Sequence, residues 1–272
     1  MRTATPTPID GDHHYVVWLC TGEEMPDGEL GQKAADLRRL AEAGCDVPNG
    51  FVLTTTACSD ALDRCGVRAE LRRLWSSPLP DTVGERARRW QEVADVVARI
   101  AVPDELADQI VAARHCLNPP GTPMAVRSSP PADHDHPGFH VGFTDVRGSQ
   151  DLVRRVRDCW LGPHGTAAVS PWPHRPRRVE PVTAVLVQRM IDGDSTGLAG
   201  LGPLGELVVE ASPGRGPKST ALDERQAARL RAIAHEVAEI FGRPTVVEWA
   251  LNGDRLWLLQ VSWGRDFGPG PT

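Results

Sequence analysis

Lysine is nearly absent from this chain of 272 residues. Only Lys33 and Lys218 are lysine among 30 basic residues, and all the others are arginine. The formal net charge is −6, so the chain lacks the excess of positive charge on which general nucleic-acid binding depends. In such a composition a lysine is expected either where drift tolerated it or where a compact ammonium group is needed.

Long apolar runs and paired cysteines are also missing. No stretch of 18 apolar residues occurs, so no membrane span is predicted. The first 14 residues contain no apolar core of a signal peptide, and none of the six cysteines forms a Cys-x-x-Cys pair. We therefore expect a cytoplasmic protein with reduced thiols, partnered by neither nucleic acid nor membrane.

Helical and strand patterns alternate along the chain, which predicts an α/β or α+β fold with two lobes. A basic, proline-rich stretch at 164–181 predicts the linker, so the N-terminal lobe is expected over 1–178 and the C-terminal lobe over 179–272. Strands are predicted at 15–20, 50–54, 124–127, 182–188 and 207–211, with helices at 31–44, 83–101, 104–117, 150–161 and 223–241. Between the predicted strands at 182–188 and 207–211 lies a glycine-rich segment, 197–205.

Lys33 lies at the start of the first predicted helix, after Gly31 and Gln32. The N–H groups and partial positive charge of a helix N-terminus bind phosphate, and a lysine adds a mobile cation. The alternative is an ordinary solvated lysine. The scarcity of lysine favours the phosphate-binding interpretation.

Arg127 ends a predicted strand, Ala125-Val-Arg-Ser-Ser129, that delivers an arginine and two hydroxyls to a loop. An arginine there can bind phosphate oxygens through two hydrogen bonds. An ion pair between the lobes is an equally good interpretation of these five residues.

The C-terminal residues 245–261 form a predicted hairpin around Asn252-Gly253-Asp254. A three-residue loop would place Glu248 and Gln260 together on one face, where a carboxylate and an amide can hold Mg²⁺ and a phosphate. A two-residue loop would place them on opposite faces. With the three-residue loop, one apolar face would contain Val247, Trp249, Trp257, Leu259 and Val261.

A second metal pattern occurs at Asp133-His-Asp-His136, followed by His140. Histidine and carboxylate side chains at this spacing suit a transition metal. Because prolines and a glycine flank the segment, an exposed polar loop is the default interpretation.

Taken in order, several segments resemble the N-terminal nucleotide-binding domain of the pyruvate phosphate dikinase, phosphoenolpyruvate synthase and rifampicin phosphotransferase family. The resemblance extends from one end of the chain to the other and rests on six segments that occur in the family's order. They are ELGQKAADLRRLAEAG (29–44), VPNGFVLTT (47–55), AVRSS (125–129), AVLVQRM (184–190), FGRPTVVEWA (241–250) and LWLLQ (256–260).

The resemblance implies an ATP-grasp-like fold whose two lobes hold ATP and Mg²⁺ between them. The implied site residues are the catalytic, phosphate-binding Lys33 and Arg127, the lid residues Gly142 and Thr144, Gln188 and Met190 near the adenine, and the metal and phosphate ligands Glu248 and Gln260.

The sequence also departs from the family pattern. The lid reads Gly138-Phe-His-Val-Gly-Phe-Thr-Asp145, the arginine two residues after Gln260 is replaced by Ser262 unless Arg265 substitutes for it, and the family's Gly-Leu-Gly-Glu reads Gly214-Arg-Gly-Pro217. The segment around Lys218 is shortened, and no role for this lysine is predicted. The family's phosphohistidine domain and pyruvate-binding barrel are absent from this sequence, so we expect a stand-alone, shortened domain.

The resulting expectation is an ATP-dependent phosphotransferase that passes a phosphoryl group to a histidine on a separate phosphohistidine-domain protein or to a small-molecule acceptor. The altered lid and the missing arginine leave a second possibility, a degenerate nucleotide-binding subunit that regulates or scaffolds a partner. A carboxylate ligase is a third, since ATP-grasp-like folds also support ATP-driven ligation.

Overall fold

The structure is a computed structural model of the chain. It describes residues 15–20, 24–78, 80–117, 121–131, 141–162, 182–202, 205–213 and 222–262. The predicted linker at 164–181, the histidine-rich segment at 133–140, Gly214–Pro217, Lys218 and Arg265 lie outside these ranges, as does the predicted lobe boundary at residue 178.

Helices and strands are mixed along the chain, as the sequence predicts. The helices are α1 (Asp27–Glu42), α2 (Thr55–Arg64), α3 (Arg68–Ser76), α4 (Val83–Ala98), α5 (Asp104–Leu117), α6 (Ser149–Leu161) and α7 (Glu224–Phe241). The strands are β1 (Val16–Trp18), β2 (Gly50–Leu53), β3 (Met124–Ser129), β4 (Gly142–Val146), β5 (Ala184–Arg189), β6 (Ser195–Leu201), β7 (Leu207–Pro213), β8 (Val246–Asn252) and β9 (Arg255–Ser262).

The chain divides into two compact units. The first unit contains Met1–Ala34 and Gly50–Arg189, and the second contains Ala35–Asn49 and Met190–Thr272. The first division falls within α1, after Ala34.

The first unit is built on a five-stranded antiparallel sheet with strand order β1-β2-β5-β3-β4. One face of this sheet carries alternate residues such as Val126 and Val187, which belong to a core cluster with side chains of α2 to α6. Trp160 of α6 is wholly buried in this cluster. Because side chains alternate along a strand, Arg127 and Gln188 lie on the opposite face.

The second unit is built on a four-stranded antiparallel sheet with strand order β7-β6-β8-β9. Helix α7 packs against it and buries Leu230, Ala234 and Val237. The helix begins at a capping box, in which Asp223 and Gln226 each bond the other's backbone N–H. It ends at a glycine in the left-handed conformation, residue 242.

The mixed helix and strand class is confirmed, and the predicted bounds of α5, 104–117, are those of the structure. The second unit contains one strand that the sequence analysis does not predict, and its hairpin loop is shorter than predicted. The glycine-rich segment contains β6, a central strand of the second sheet, because glycine at 197 lets β6 lie close to β7 and to the ring of Trp249. The hairpin loop has two residues, 253 and 254, and not three, since Asn252 pairs with Arg255.

No helix in the described ranges combines the length and the apolar character that crossing a membrane requires.

Candidate functional site

Three of the predicted site residues share one face of the first sheet. Arg127 pairs with Gly142 on β4 and with Leu186 on β5, while Gln188 pairs with Ala125 two residues earlier on β3. Directly paired residues of antiparallel strands project on the same side. The register therefore brings Arg127, Gly142 and Gln188 together on the face opposite the helical core.

The start of the Lys33 helix is fastened to the end of the Arg127 strand. The Ser129 hydroxyl accepts a hydrogen bond from the backbone N–H of Ala34 at 3.0 Å, and the carbonyl of Pro130 accepts one from Gln32 at 2.8 Å. Two of the N–H groups at this helix start are therefore bonded within the protein. These two N–H groups are therefore not available to bind a phosphate.

Gly31 makes this attachment possible. It interrupts α1 with φ 69° and ψ 163°, and a Cβ atom placed there would lie 1.7 Å from the carbonyl oxygen of Ser129. Only glycine can occupy this position without moving the backbone. The helix over 31–44 that the sequence predicts thus begins earlier, at residue 27, and is kinked at Gly31.

Lys33 is half-buried just beyond this kink. Its charge acts on the thiol of Cys159 in α6. Burial raises the pKa of Cys159 to about 12, with a smaller contribution from Asp158 in the same direction, whereas the positive charge of Lys33 lowers it. Lys33 is thus a cation at the edge of the buried core, close enough to influence a core thiol.

The two predicted lid residues, Gly142 and Thr144, lie in strand β4 and are exposed. The pairing of β3 with β4 shifts between Met124 and Val126, which leaves an extra residue on β4 at 144–145. Asp145 has φ 59°, an unusual value for a residue other than glycine. Thr144 therefore lies in a β-bulge, a feature that re-aims side chains.

The base of this segment is held by Ser128. Its hydroxyl bonds both the N–H and the carbonyl of Val141, at 2.8 and 3.2 Å, and its own N–H donates to the same carbonyl at 2.8 Å. The two serines that follow Arg127 thus hold different segments, since Ser128 holds residue 141 and Ser129 holds the Lys33 helix.

Gln188 is 2% exposed and packs over Gly50 of β2. A Cβ atom at Gly50 would lie 2.8 Å from Cγ of Gln188 and 2.5 Å from the carbonyl oxygen of Val187. Met190, the other predicted adenine neighbour, is half-buried directly after β5 and belongs to the second unit.

In the second unit, Glu248 of β8 lies directly opposite Gln260 of β9, and both side chains are half-buried. The predicted pair is therefore on one face, although the predicted register is wrong. With the observed two-residue loop, a regular hairpin would place Leu259 opposite Glu248. A β-bulge between Glu248 and Trp249 inserts Leu259 as an extra residue and returns Gln260 to the face of Glu248.

The bulge also changes the apolar face. Trp249 pairs with Leu258, and Leu251 pairs with Leu256, so these four side chains form the buried face. Trp257 and Leu259, which the sequence assigns to that face, are only partly buried. The Arg255 guanidinium carbon lies 3.9 Å from the centre of the Trp257 ring, a cation–π contact.

Sequence reasoning missed two residues beside the predicted ones. The sequence identifies Ser129 only as one of the two hydroxyl residues that follow Arg127, and not as a hydrogen-bond partner of the Lys33 helix. Glu210 of β7 lies in one cross-strand row with Leu198, Glu248 and Gln260, and the register places all four on one face. Recognising β6 as a strand would have identified this row.

Glu248 and Gln260 suit a magnesium ion bound together with a nucleotide. Mg²⁺ is usually held by one or two carboxylates plus phosphate oxygens and water, so one carboxylate and one amide carbonyl form an adequate protein contribution. Among the described residues, no three His, Cys, Asp or Glu side chains are grouped to hold a metal by themselves. The chemistry of the pair therefore favours a metal that arrives with its phosphate ligand.

The chain is similar to a known protein family and to several curated proteins. The profile of the family described as "Pyruvate phosphate dikinase, AMP/ATP-binding domain" matches residues 28–218. The chain is 22% identical to a probable phosphoenolpyruvate synthase of Methanothermobacter thermautotrophicus over 94% of its own length and 47% of the relative. It is 26% identical to a rifampicin phosphotransferase of Streptomyces sp over 85% of its length and 34% of the relative.

A third relative is the prodigiosin synthesizing transferase PigC of Serratia marcescens, which is 24% identical over 90% of this chain and 32% of the relative. The chain thus spans between about a third and a half of the length of these three curated relatives. Among solved structures, a D-alanine-D-alanine ligase from Coxiella burnetii is similar over 85% of this chain and 47% of that chain, at 11% identity and a TM-score of 0.40.

The family profile covers well over half of the chain, including Lys33, Arg127, the β4 residues and Gln188. The chain belongs to the pyruvate phosphate dikinase AMP/ATP-binding domain family.

Proposed function

We propose that this chain is the ATP-binding part of a phosphotransferase and adopts an ATP-grasp-like arrangement around magnesium and ATP. In this proposal, Lys33 and Arg127 bind the phosphates and act as the catalytic residues. Gln188 and Met190 contact the adenine, Gly142 and Thr144 lie beside the phosphates, and Glu248 and Gln260 bind the metal.

The attachment of the Lys33 helix to the Arg127 strand is the observation that carries this proposal. Ser129 follows Arg127 by two residues and bonds the N–H of Ala34, which follows Lys33. The two segments that carry the cations are therefore joined by a hydrogen bond. Phosphoryl transfer depends mainly on positioning and on neutralising charge, and two cations on joined segments suit both requirements.

Arginine and lysine contribute differently to such a site. The planar guanidinium of Arg127 can bind two phosphate oxygens at once, whereas the ammonium of Lys33 is a point charge on a flexible stem. When bound, Mg²⁺ supplies further neutralisation of the phosphate oxygens. Glu248 and Gln260 supply the oxygen ligands on the protein side.

The acceptor is proposed from the relatives. One is named a phosphoenolpyruvate synthase and another a rifampicin phosphotransferase, so this ATP-binding domain occurs in proteins with different acceptors. We propose that the phosphoryl group passes to a histidine on a separate phosphohistidine-domain protein or directly to a small molecule.

Thermal unfolding with increasing ATP and Mg²⁺, followed by phosphorus NMR of the products, tests the proposal. The wild-type chain is expected to be stabilised by MgATP. With a suitable acceptor it should release ADP or AMP. Lys33→Ala should lose most of the MgATP-dependent stabilisation, whereas Arg88→Ala, which removes an exposed cation from α4, should retain it.

The same experiment separates catalysis from simple binding. Stabilisation by MgATP without product from any acceptor would favour the degenerate regulatory subunit. Equal responses of wild type and Lys33→Ala would contradict the proposed phosphate site. Trapping of an acyl phosphate by hydroxylamine would instead identify a carboxylate ligase.

A further inference from the structure

The pairing of Glu248 with Gln260 depends on a single extra residue. Counting back from the two-residue loop, a regular hairpin keeps Trp249 opposite Leu258 and would next place Leu259 opposite Glu248. The observed partner is Gln260, because β9 contains one residue more than β8 at this step. A one-residue shift moves a side chain to the other face of a sheet, so the bulge decides which face Gln260 occupies.

The residue immediately before this bulge is held from outside the hairpin. β9 is an edge strand, and the N–H of Leu258 donates a hydrogen bond of 2.8 Å to the backbone carbonyl of Asp46. Asp46 lies in the segment that follows α1 and belongs to the same unit as the hairpin. The outer edge of β9 is thus hydrogen-bonded to the segment after α1 at Leu258, the last residue before the bulge.

The carboxylate of Asp46 makes a second attachment to the same strand. Its Oδ1 accepts hydrogen bonds from Nε and Nη2 of Arg255, at 3.1 and 2.7 Å. Nη2 of Arg229 on α7 lies 3.7 Å from Oδ2. Asp46 therefore contacts β9 at residues 255 and 258, on either side of Trp257, whose ring packs under the guanidinium of Arg255.

The contacts of Asp46 affect the alignment of β9 against β8 more than they affect the free energy of folding. The side chains of Asp46 and Arg255 are 31% and 57% exposed, and ion pairs of that exposure add little to the free energy of folding. Their geometry is nevertheless specific, since two donors of one guanidinium bind one oxygen and the adjacent carbonyl binds Leu258. An attachment at this point restricts sliding of β9 against β8.

We propose that Asp46 is a positioning residue whose carboxylate, acting through Arg255, fixes the bulge at Leu259 and so keeps Gln260 beside Glu248. The inference rests on the proposed function for its consequence, because the aligned pair is the proposed magnesium ligand set. Its structural part, the control of the hairpin register by Asp46, is independent of that function.

The structural part is tested by NMR on Asp46→Ala and wild type. Cross-strand nuclear Overhauser effects between Glu248 and Gln260 report the bulged register, whereas effects between Glu248 and Leu259 report the regular one. We expect Asp46→Ala to lose the first set in at least part of the population. Asp254→Asn, which removes a negative charge from the same hairpin, should keep the wild-type pattern.

The functional part is tested by the magnesium dependence of ATP-induced stabilisation. We expect Asp46→Ala to raise the Mg²⁺ concentration for half-maximal effect by about tenfold, with binding of metal-free ATP unchanged. Arg255→Ala should behave alike, and the double variant should be no worse than either single one. Exchanging the two charges, in Asp46→Arg/Arg255→Asp, should restore part of the wild-type response.

Deletion of Leu259 supplies the sharpest control. Without the extra residue, a regular two-residue hairpin places Gln260 opposite Glu248 by itself, so Asp46→Ala should no longer change the magnesium dependence in this background. A merely stabilising role of Asp46 would lower the melting temperature equally in both backgrounds and leave the magnesium dependence unchanged. If the deletion variant does not fold, the nuclear Overhauser effects of Asp46→Ala decide the question.

Each result has one meaning. Loss of the Glu248–Gln260 contacts together with a raised magnesium requirement supports the proposal. Retention of those contacts in Asp46→Ala overturns it, and loss of the contacts with an unchanged magnesium requirement overturns its functional part. If wild type itself does not respond to MgATP, the proposed function fails, and the contacts alone decide whether Asp46 sets the register.

Discussion

The hydroxyl of Ser129 accepts a hydrogen bond of 3.0 Å from the backbone N–H of Ala34, which lies 95 residues earlier in the chain, just beyond the kink in α1. Ser129 is wholly buried, so this bond forms away from competing water. Ser129 lies two residues after Arg127, and Ala34 lies one residue after Lys33. The proposed phosphate-binding cations therefore owe their mutual placement to a serine that itself need not touch phosphate.

Gly31→Ala should disrupt this attachment. The backbone there has φ 69°, and the new Cβ would lie 1.7 Å from the carbonyl oxygen of Ser129. We expect the free energy of unfolding to fall by about 3 kcal/mol or more, and stabilisation by MgATP to be lost. Urea unfolding with and without MgATP measures both effects.

Gly28→Ala is the matched control, because Gly28 is in the same helix and a Cβ there meets nothing within 4 Å. Alanine is the better helix former, so this variant should be as stable as wild type or slightly more stable. Equal stability of the Gly31 and Gly28 variants would contradict the close approach of α1 to Ser129.

Ser129→Ala should leave the N–H of Ala34 buried without its partner. A buried donor that loses its acceptor costs about 1–3 kcal/mol of unfolding free energy. Because the helix start would then be free to move, the affinity for MgATP should fall as well. A double-mutant cycle with Lys33→Ala measures the coupling in MgATP affinity, which should be clearly different from zero if Ser129 acts through Lys33.

Several helices can be predicted from the sequence, because their local sequence patterns agree with their packing in the fold. Helix α5 has apolar residues at helical spacing, and its observed bounds equal the predicted ones. The helix at 224–241 carries both its capping box and its terminal glycine in the sequence. Such segments need no tertiary information to be recognised.

The errors arise where tertiary contacts override the local pattern. No strand is predicted in the glycine-rich segment, but β6 needs glycine at 197, where an added Cβ would lie 2.1 Å from the carbonyl oxygen of Glu210 and 2.9 Å from the Trp249 ring. The hairpin loop is shorter than predicted, and the bulge at Leu259 compensates for it. The residues around Leu259 do not predict a bulge, because the residue proposed to fix it, Asp46, lies more than 200 residues away in the sequence.

In the site, too, some features can be predicted from the sequence and others depend on tertiary contacts. Residue type and order suffice to nominate Lys33, Arg127, Glu248 and Gln260, because phosphate and magnesium chemistry needs those groups. The supporting contacts of Ser129 and Asp46 join distant parts of the chain, and such pairs have no spacing that a single sequence reveals.

Gly50→Ala is expected to displace Gln188. The added methyl group would lie 2.5 Å from the carbonyl oxygen of Val187 and 2.8 Å from Cγ of Gln188, so the side chain or the strand must move. We expect a loss of about 1–3 kcal/mol of stability from overpacking. If Gln188 contacts adenine, discrimination between ATP and GTP in the melting assay should weaken as well.

Gly84→Ala serves as the control for this variant, because a Cβ at Gly84 of α4 meets nothing within 4 Å. It should change neither nucleotide preference nor stability by more than a few tenths of a kcal/mol. Unchanged nucleotide discrimination in Gly50→Ala, despite reduced stability, would argue against a place for Gln188 at the base.

The buried thiol of Cys159 predicts a specific loss of stability at high pH. Burial raises its pKa from 9.0 to about 12, so the folded state holds the proton over a range in which the unfolded chain releases it. The contribution of Cys159 is therefore fully present below pH 9 and is lost as pH rises toward 12. Urea unfolding between about pH 8 and about pH 10.5, a range that spans the ordinary thiol pKa, measures this decline.

Cys159→Ala isolates the effect from other groups that titrate in the same range. Tyr15 and Cys45 also have raised pKa values, through the hydrogen bond to Asp60 and through burial respectively, and both remain in the variant. We expect the variant to be less stable at neutral pH, because it leaves a cavity, but to lose less stability per pH unit above 9. Parallel stability curves for the two proteins would show that the Cys159 thiol ionises in the folded state as readily as in the unfolded one.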